Sequence, residues 1–137
     1  MRKKPILVSG IQPSGHLHIG NYLGALRHFV ALQNSGNYEC YFFIADLHSL
    51  TEPFSPKEKA KQIIELAADF LSAGIDPKKS VLFLQSDIPE HGELAFILNT
   101  LTPMGELRRM TQFKEKSKAT NVNFILNKIK SYLKKHA

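Results

Sequence analysis

Short apolar runs alternate along this chain with stretches that repeat at helical spacing. Pro5–Ser9 is apolar and rich in β-branched residues and ends at Gly10, which predicts a buried strand. From about Gly20 the apolar positions Tyr22, Leu23, Leu26, Phe29, Val30 and Leu32 recur as on one helix face, and Ser35-Gly36-Asn37 stops them. Tyr38–Ala45 holds the continuous run Tyr41-Phe42-Phe43-Ile44-Ala45, the pattern of a strand covered on both faces. Ser55 is placed to cap the next helix, with Pro56 at its first position and Glu58 three residues after the cap. That helix runs through Ile63, Ile64, Leu66, Ala67, Phe70 and Leu71 to Gly74. Val81–Leu84 predicts a third buried strand, closed by Gln85-Ser86-Asp87. Pro89 opens a helix through Leu94, Phe96, Ile97 and Leu98, Thr102-Pro103 breaks it, and Met104–Lys116 returns to helical character.

The order β-α-β-α-β-α, with connections long enough for crossovers, predicts an α/β fold with a parallel sheet flanked by helices. Then the pattern changes. Val122, Ile125, Leu126, Ile129, Tyr132 and Leu133 fall at helical spacing, with Lys128, Lys130, Lys134 and Lys135 largely off that stripe. An amphipathic C-terminal helix is expected there, packed on its own domain or on a neighbouring subunit. The expected division is residues 1–120 and a basic tail, 121–137.

Composition narrows the setting. A chain of 137 residues, 43% hydrophobic and 22% charged, suits one soluble domain or part of a larger one. The net charge is +6, but Arg2, Lys3, Lys4 and seven lysines from Lys114 onward sit near the two ends. The charge is thus local, and does not by itself mark a nucleic-acid surface. The single cysteine, Cys40, lies in an apolar run, which excludes an internal disulfide framework and fits a reducing compartment. No apolar run approaches the roughly 20 residues of a membrane span. The apolar stretch after Met1-Arg2-Lys3-Lys4-Pro5 is too short for a signal-peptide core, so a cytoplasmic protein is expected.

Candidate chemistry gathers where the first strand crosses to the first helix, Ser9–Asn21. This stretch holds Gly10, Gly15 and Gly20, with Gln12, Ser14, His16, His18 and Asn21 as polar groups. An α/β fold places its ligand there, at a strand's carboxyl end against a helix N-terminus. Glycine lets a nucleotide approach the backbone, free N–H groups favour phosphate, and imidazoles stabilise charge developing on it. A second polar set, Asp46-Leu47-His48-Ser49, closes the second strand. His28, His91 and His136 are expected as ordinary surface or capping residues. His16, His18 and His48 lack the Cys or carboxylate support of a metal site, so no metal is assigned to them. No paired carboxylates stand out and no G-x-x-x-x-G-K-[ST] string occurs. The chemistry alone is that of a nucleotide-binding α/β domain suited to adenylyl transfer.

Three strings carry a resemblance that goes further. His18-Ile19-Gly20-Asn21 resembles the HIGH signature of class I aminoacyl-tRNA synthetases. The longer Ser9–Ala25, SGIQPSGHLHIGNYLGA, resembles the bacterial-type tryptophanyl-tRNA synthetases, in which Asn ends the signature. Ala45–Thr51, ADLHSLT, and Gly105–Ser117, GELRRMTQFKEKS, are similar to the same family, in the same order. The resemblance implies an incomplete Rossmann-like domain of the HIGH superfamily. It implies activation of L-tryptophan with ATP and Mg²⁺, transfer to tRNA(Trp), and a homodimer. It implies that Gln12, Pro13, Ser14, His18, Gly20 and Asn21 contact ATP, and that Lys114 and Lys116 reach its phosphates. His18, Asn21 and Lys116 would act in catalysis, and Val8, Gly10 and His48 would line the indole pocket. The family's Met-Ala-Ala-Asp segment, KMSKS loop and helical anticodon-reading domain do not occur within these residues. An amino-terminal fragment, deficient by itself in charging tRNA, is therefore expected. The alternatives are a non-catalytic ATP-binding and dimerising module, and a small-molecule nucleotidyltransferase of the same superfamily.

Overall fold

The structure is a computed structural model; it describes residues 3–52 and 55–119, and of residues 116–119 the backbone alone. Three strands, β1 (Ile6–Ile11), β2 (Glu39–Ile44) and β3 (Ser80–Leu84), form a parallel sheet in the order β1-β2-β3. Gly10 lies opposite Phe43 and Phe43 opposite Phe83. The first crossover contains α1 (Ile19–Asn21), a π-helical segment (Tyr22–Leu26) and α2 (Arg27–Ser35). The second contains α3 (Asp46–Ser49) and α4 (Pro56–Ser72). After β3 come a 3-10 turn (Gln85–Asp87), α5 (Pro89–Leu101), α6 (Met104–Leu107) and α7 (Thr111–Ala119). Two compact units divide between Leu94 and Ala95. The expected α/β fold with a parallel sheet is present in the first.

A chain that steps one way across a sheet with right-handed crossovers lays its connecting helices on one face. On that face Leu7, Ile11, Cys40, Phe42, Ile44, Leu82 and Leu84 pack with Leu26, Phe29, Leu66 and Phe70. Phe29 stacks on Phe42 with ring centroids 4.6 Å apart, and Phe70 tilts against Phe29 at 6.2 Å. Burial of Cys40 in this core raises its thiol above the ordinary value, with the nearby Lys4 charge opposing in part, so the thiol stays neutral.

The opposite face carries Ile6, Val8, Gly10, Tyr41, Phe43, Val81 and Phe83. Within the first unit it is less covered: Ile6 is 59%, Val8 61% and Val81 47% exposed. The expectation that Tyr38–Ala45 is covered on both faces is met on one face only, since burial along β2 alternates between buried and half-buried residues. In a doubly wound sheet, helices reach the second face from strands added beyond the first strand. The described sheet ends at β1. Tyr41 and Phe43 make β2 read as a continuous apolar run although within the first unit their face is half-buried and only the other is fully packed.

Local differences have local causes. The expected helix from Gly20 is interrupted by the π segment, whose Leu26 enters the core. Ser55 occupies the cap position of α4, but its side chain makes no cap hydrogen bond. Helical character over Met104–Lys116 divides into α6 and α7. The tail expectation, 121–137, lies outside the described residues.

A buried polar clip ties α2 to the entrance of β3. Gln33 Nε2 donates to Gly74 O at 3.1 Å, and Gln33 Oε1 accepts from Asp76 N–H and from Ser80 Oγ, both at 2.8 Å. Gln33→Leu keeps the volume but leaves these partners unsatisfied. We expect a loss of about 2–4 kcal/mol, seen as a lower urea midpoint at unchanged m-value.

Candidate functional site

The loop after β1 starts beside the loop after β2, because Ala45 N–H donates to Ile11 O at 2.8 Å. Ser14 N–H then donates to Gln12 O at 3.0 Å, closing a tight turn. Gly15 follows at φ +117°, a conformation that favours glycine. Pro13 is fully buried, and its carbonyl accepts from Lys59 Nζ of α4 at 2.8 Å. Gln12 is half-buried, while Ser14 and His16 are exposed.

α1 opens on a reciprocal cap. Gly20 N–H donates to His18 Nδ1 at 3.1 Å, and His18 N–H donates to Asn21 Oδ1 at 3.1 Å. This is a capping box built with histidine and asparagine. It accounts for three of the four residues in the His18-Ile19-Gly20-Asn21 string. His18 supplies the acceptor and Asn21 reaches back to it. A Cβ on Gly20 would stand 2.9 Å from the imidazole, so glycine leaves the ring room to cap. An accepting Nδ1 leaves the proton of the neutral ring on Nε2. His18 is exposed and therefore offers an N–H donor from the side of its ring away from the cap. The π segment that follows is of a kind frequent at functional sites.

The carboxyl ends of β2 and β3 are tied together. Ser86 N–H donates to Asp46 Oδ1 at 3.0 Å, and His48 N–H donates to Gln85 Oε1 at 3.2 Å. Ser49, fully buried, donates from Oγ to Asp46 O at 2.6 Å. The His48 side chain is exposed. His91 Nδ1 lies 3.1 Å from Gln85 O and its ring 6.3 Å from that of Phe43, an anchoring role for the start of α5. The Phe43 ring covers Gly10: a Cβ there would be 2.6 Å from it. Val8 shares this face. Phe43 and Phe83, with centroids 5.7 Å apart, thus join Val8 and Gly10, although the apolar runs marked them only as core. On the same face Tyr41 Oη donates to Glu39 Oε1 at 2.8 Å. That bond, with the carboxylate charge, raises the phenol above its ordinary value.

The first unit therefore gathers Gln12, Pro13, Ser14, His18, Gly20 and Asn21 on one loop and helix start. It places Val8 and Gly10 on the adjoining strand, and His48 after the next strand. Lys114 and Lys116 lie on α7, in the second unit, where Lys114 is exposed. Among the described residues no three His, Cys, Asp or Glu side chains are grouped to hold a metal ion. No described helix is long and apolar enough to cross a membrane.

A family model of tRNA synthetases class I (W and Y) matches residues 1–130. The chain belongs to this family. It is 59% identical over 110 residues to a tryptophan–tRNA ligase of Caldanaerobacter subterraneus, a match covering 80% of this chain and 33% of that protein. Solved synthetases share the class I fold seen here. The tryptophanyl-tRNA synthetase of Campylobacter jejuni, complexed with ADP and tryptophan, aligns with TM-score 0.73 and 44% identity, covering 81% of this chain and 34% of that one. The Mycoplasma pneumoniae tryptophanyl-tRNA synthetase aligns with TM-score 0.75 and 43% identity, covering 87% and 34%. The synthetase resemblance carried by the three strings is thus borne out. The chain spans about a third of the length of the curated relatives it matches.

Proposed function

We propose that this chain is the nucleotide-binding amino-terminal part of a tryptophan-activating synthetase. The carboxylate of tryptophan attacks the α-phosphate of ATP and pyrophosphate leaves; a hydroxyl of the terminal ribose of tRNA(Trp) then takes the acyl group from the adenylate, and AMP leaves. The observation that carries this reading is the His18–Asn21 capping box. It leaves an Nε2–H donor at a helix start on the connection that follows β1. The solved relative that holds ADP and tryptophan together supports both ligands.

In this reading Gln12, Pro13, Ser14, His18, Gly20 and Asn21 receive the nucleotide. Lys114 and Lys116 reach its phosphates, and His18, Asn21 and Lys116 stabilise the charge that moves onto pyrophosphate. Val8, Gly10 and His48 line the side that takes the indole. Mg²⁺ would come with the nucleotide and would supply charge neutralisation at its phosphates. Residues 1–120 form the start of the catalytic domain and 121–137 a divergent tail. The working protein is a cytoplasmic homodimer.

The test pairs ATP binding with tryptophan-dependent pyrophosphate exchange. We expect these 137 residues taken by themselves to bind ATP and yet to exchange at least about 10²–10³ more slowly than a full-length relative, of which they match about a third. Failure to bind ATP overturns the reading. Exchange at the full-length rate by these residues alone overturns the expected deficiency.

A further inference from the structure

Lys59 reaches from the first turn of α4 to a loop 46 residues earlier in the chain. Its place is unfavourable in isolation, since a cation in a first turn opposes the helix dipole, and Lys57 adds a second. Lys59 is half-buried, and its Nζ donates to Pro13 O at 2.8 Å. A loop carbonyl beside a buried proline needs a donor, and the ammonium supplies one of its three. We propose that Lys59 is a positioning residue for the nucleotide. By binding the Pro13 carbonyl it holds Gln12–Ser14 in the conformation that receives ATP, and it sets a positive charge beside that loop. A triphosphate held there lies within the roughly 8–10 Å over which such a charge is felt at physiological salt.

The inference rests on the ATP reading of the corner, and the experiment separates the two. The wild-type chain, K59M, K59R and K57M are titrated with ATP at low and high salt, and each is melted. K59M is expected to bind ATP about tenfold more weakly with a flatter salt dependence, while K59R stays within about threefold of wild type. K57M removes an exposed lysine from the same turn and is expected to bind as wild type does. Wild-type affinity in K59M overturns the proposal, as does a loss in K57M equal to that in K59M. So does a K59R variant as weak as K59M, or a loss in K59M that accompanies unfolding. A wild-type chain that binds no ATP overturns the reading of the corner itself.

Discussion

His18→Ala lowers the affinity of this chain for ATP by about tenfold or more, the size expected for one hydrogen bond to a charged group. His18 does two separate things. Its Nδ1 accepts from Gly20 N–H at 3.1 Å, and its Nε2–H is left for a ligand. Alanine removes both, and the lost cap alone costs about 1 kcal/mol of helix stability. His18→Asn divides them. Asparagine is among the best cap residues, so it restores the melting point, but its short amide does not replace the Nε2–H donor. Calorimetric titration with ATP, alongside thermal melts, is expected to show His18→Asn melting near wild type while binding ATP as weakly as His18→Ala. Wild-type affinity in either variant removes His18 from the nucleotide site.

The same residues show how far the sequence could be read. His18-Ile19-Gly20-Asn21 is recognisable as a string, and its neighbourhood fixes the strand-to-helix crossing. What the string does for itself was not legible. The cap depends on which imidazole nitrogen meets which backbone N–H, and periodicity does not carry that. Ser55, by contrast, has the composition of a cap and makes no cap bond. A capping pattern states what is possible at a helix start, and tertiary surroundings decide whether it forms.

The second sheet face shows the same limit. Tyr41 and Phe43 are apolar, and an apolar run in a parallel strand reads as covered on both sides. Only the alternation of burial along β2 reveals that one side is no more than half-buried within the first unit. The link between Lys59 and Pro13 was invisible because it joins residues far apart in the chain. The two lysines in the first turn of α4 were a signal, since they work against the helix dipole.

Gly10→Val is expected to loosen the end of the sheet that carries the site. A Cβ at this position would lie 2.6 Å from Phe43 Cε2 and 2.7 Å from its Cδ2 and Cζ. The Phe43 ring has Phe83 at 5.7 Å and His91 at 6.3 Å, so it does not move aside freely. Either the ring leaves its place or β1 and β2 separate at the end that carries the site. Overpacking of this severity costs about 3 kcal/mol, which lowers the melting point of a chain this size by roughly 10 °C. Gly24→Ala is the control. Nothing lies within 4 Å of the Cβ it adds, so it is expected to melt within a few degrees of wild type. The cause is isolated by adding Phe43→Ala. If the clash is with that ring, the double variant loses less stability than the two single losses added together. Additive losses would mean that Gly10 is required for some other reason. The floor assigned to the indole side, where Val8, Gly10 and Phe43 meet, would then have to be redrawn.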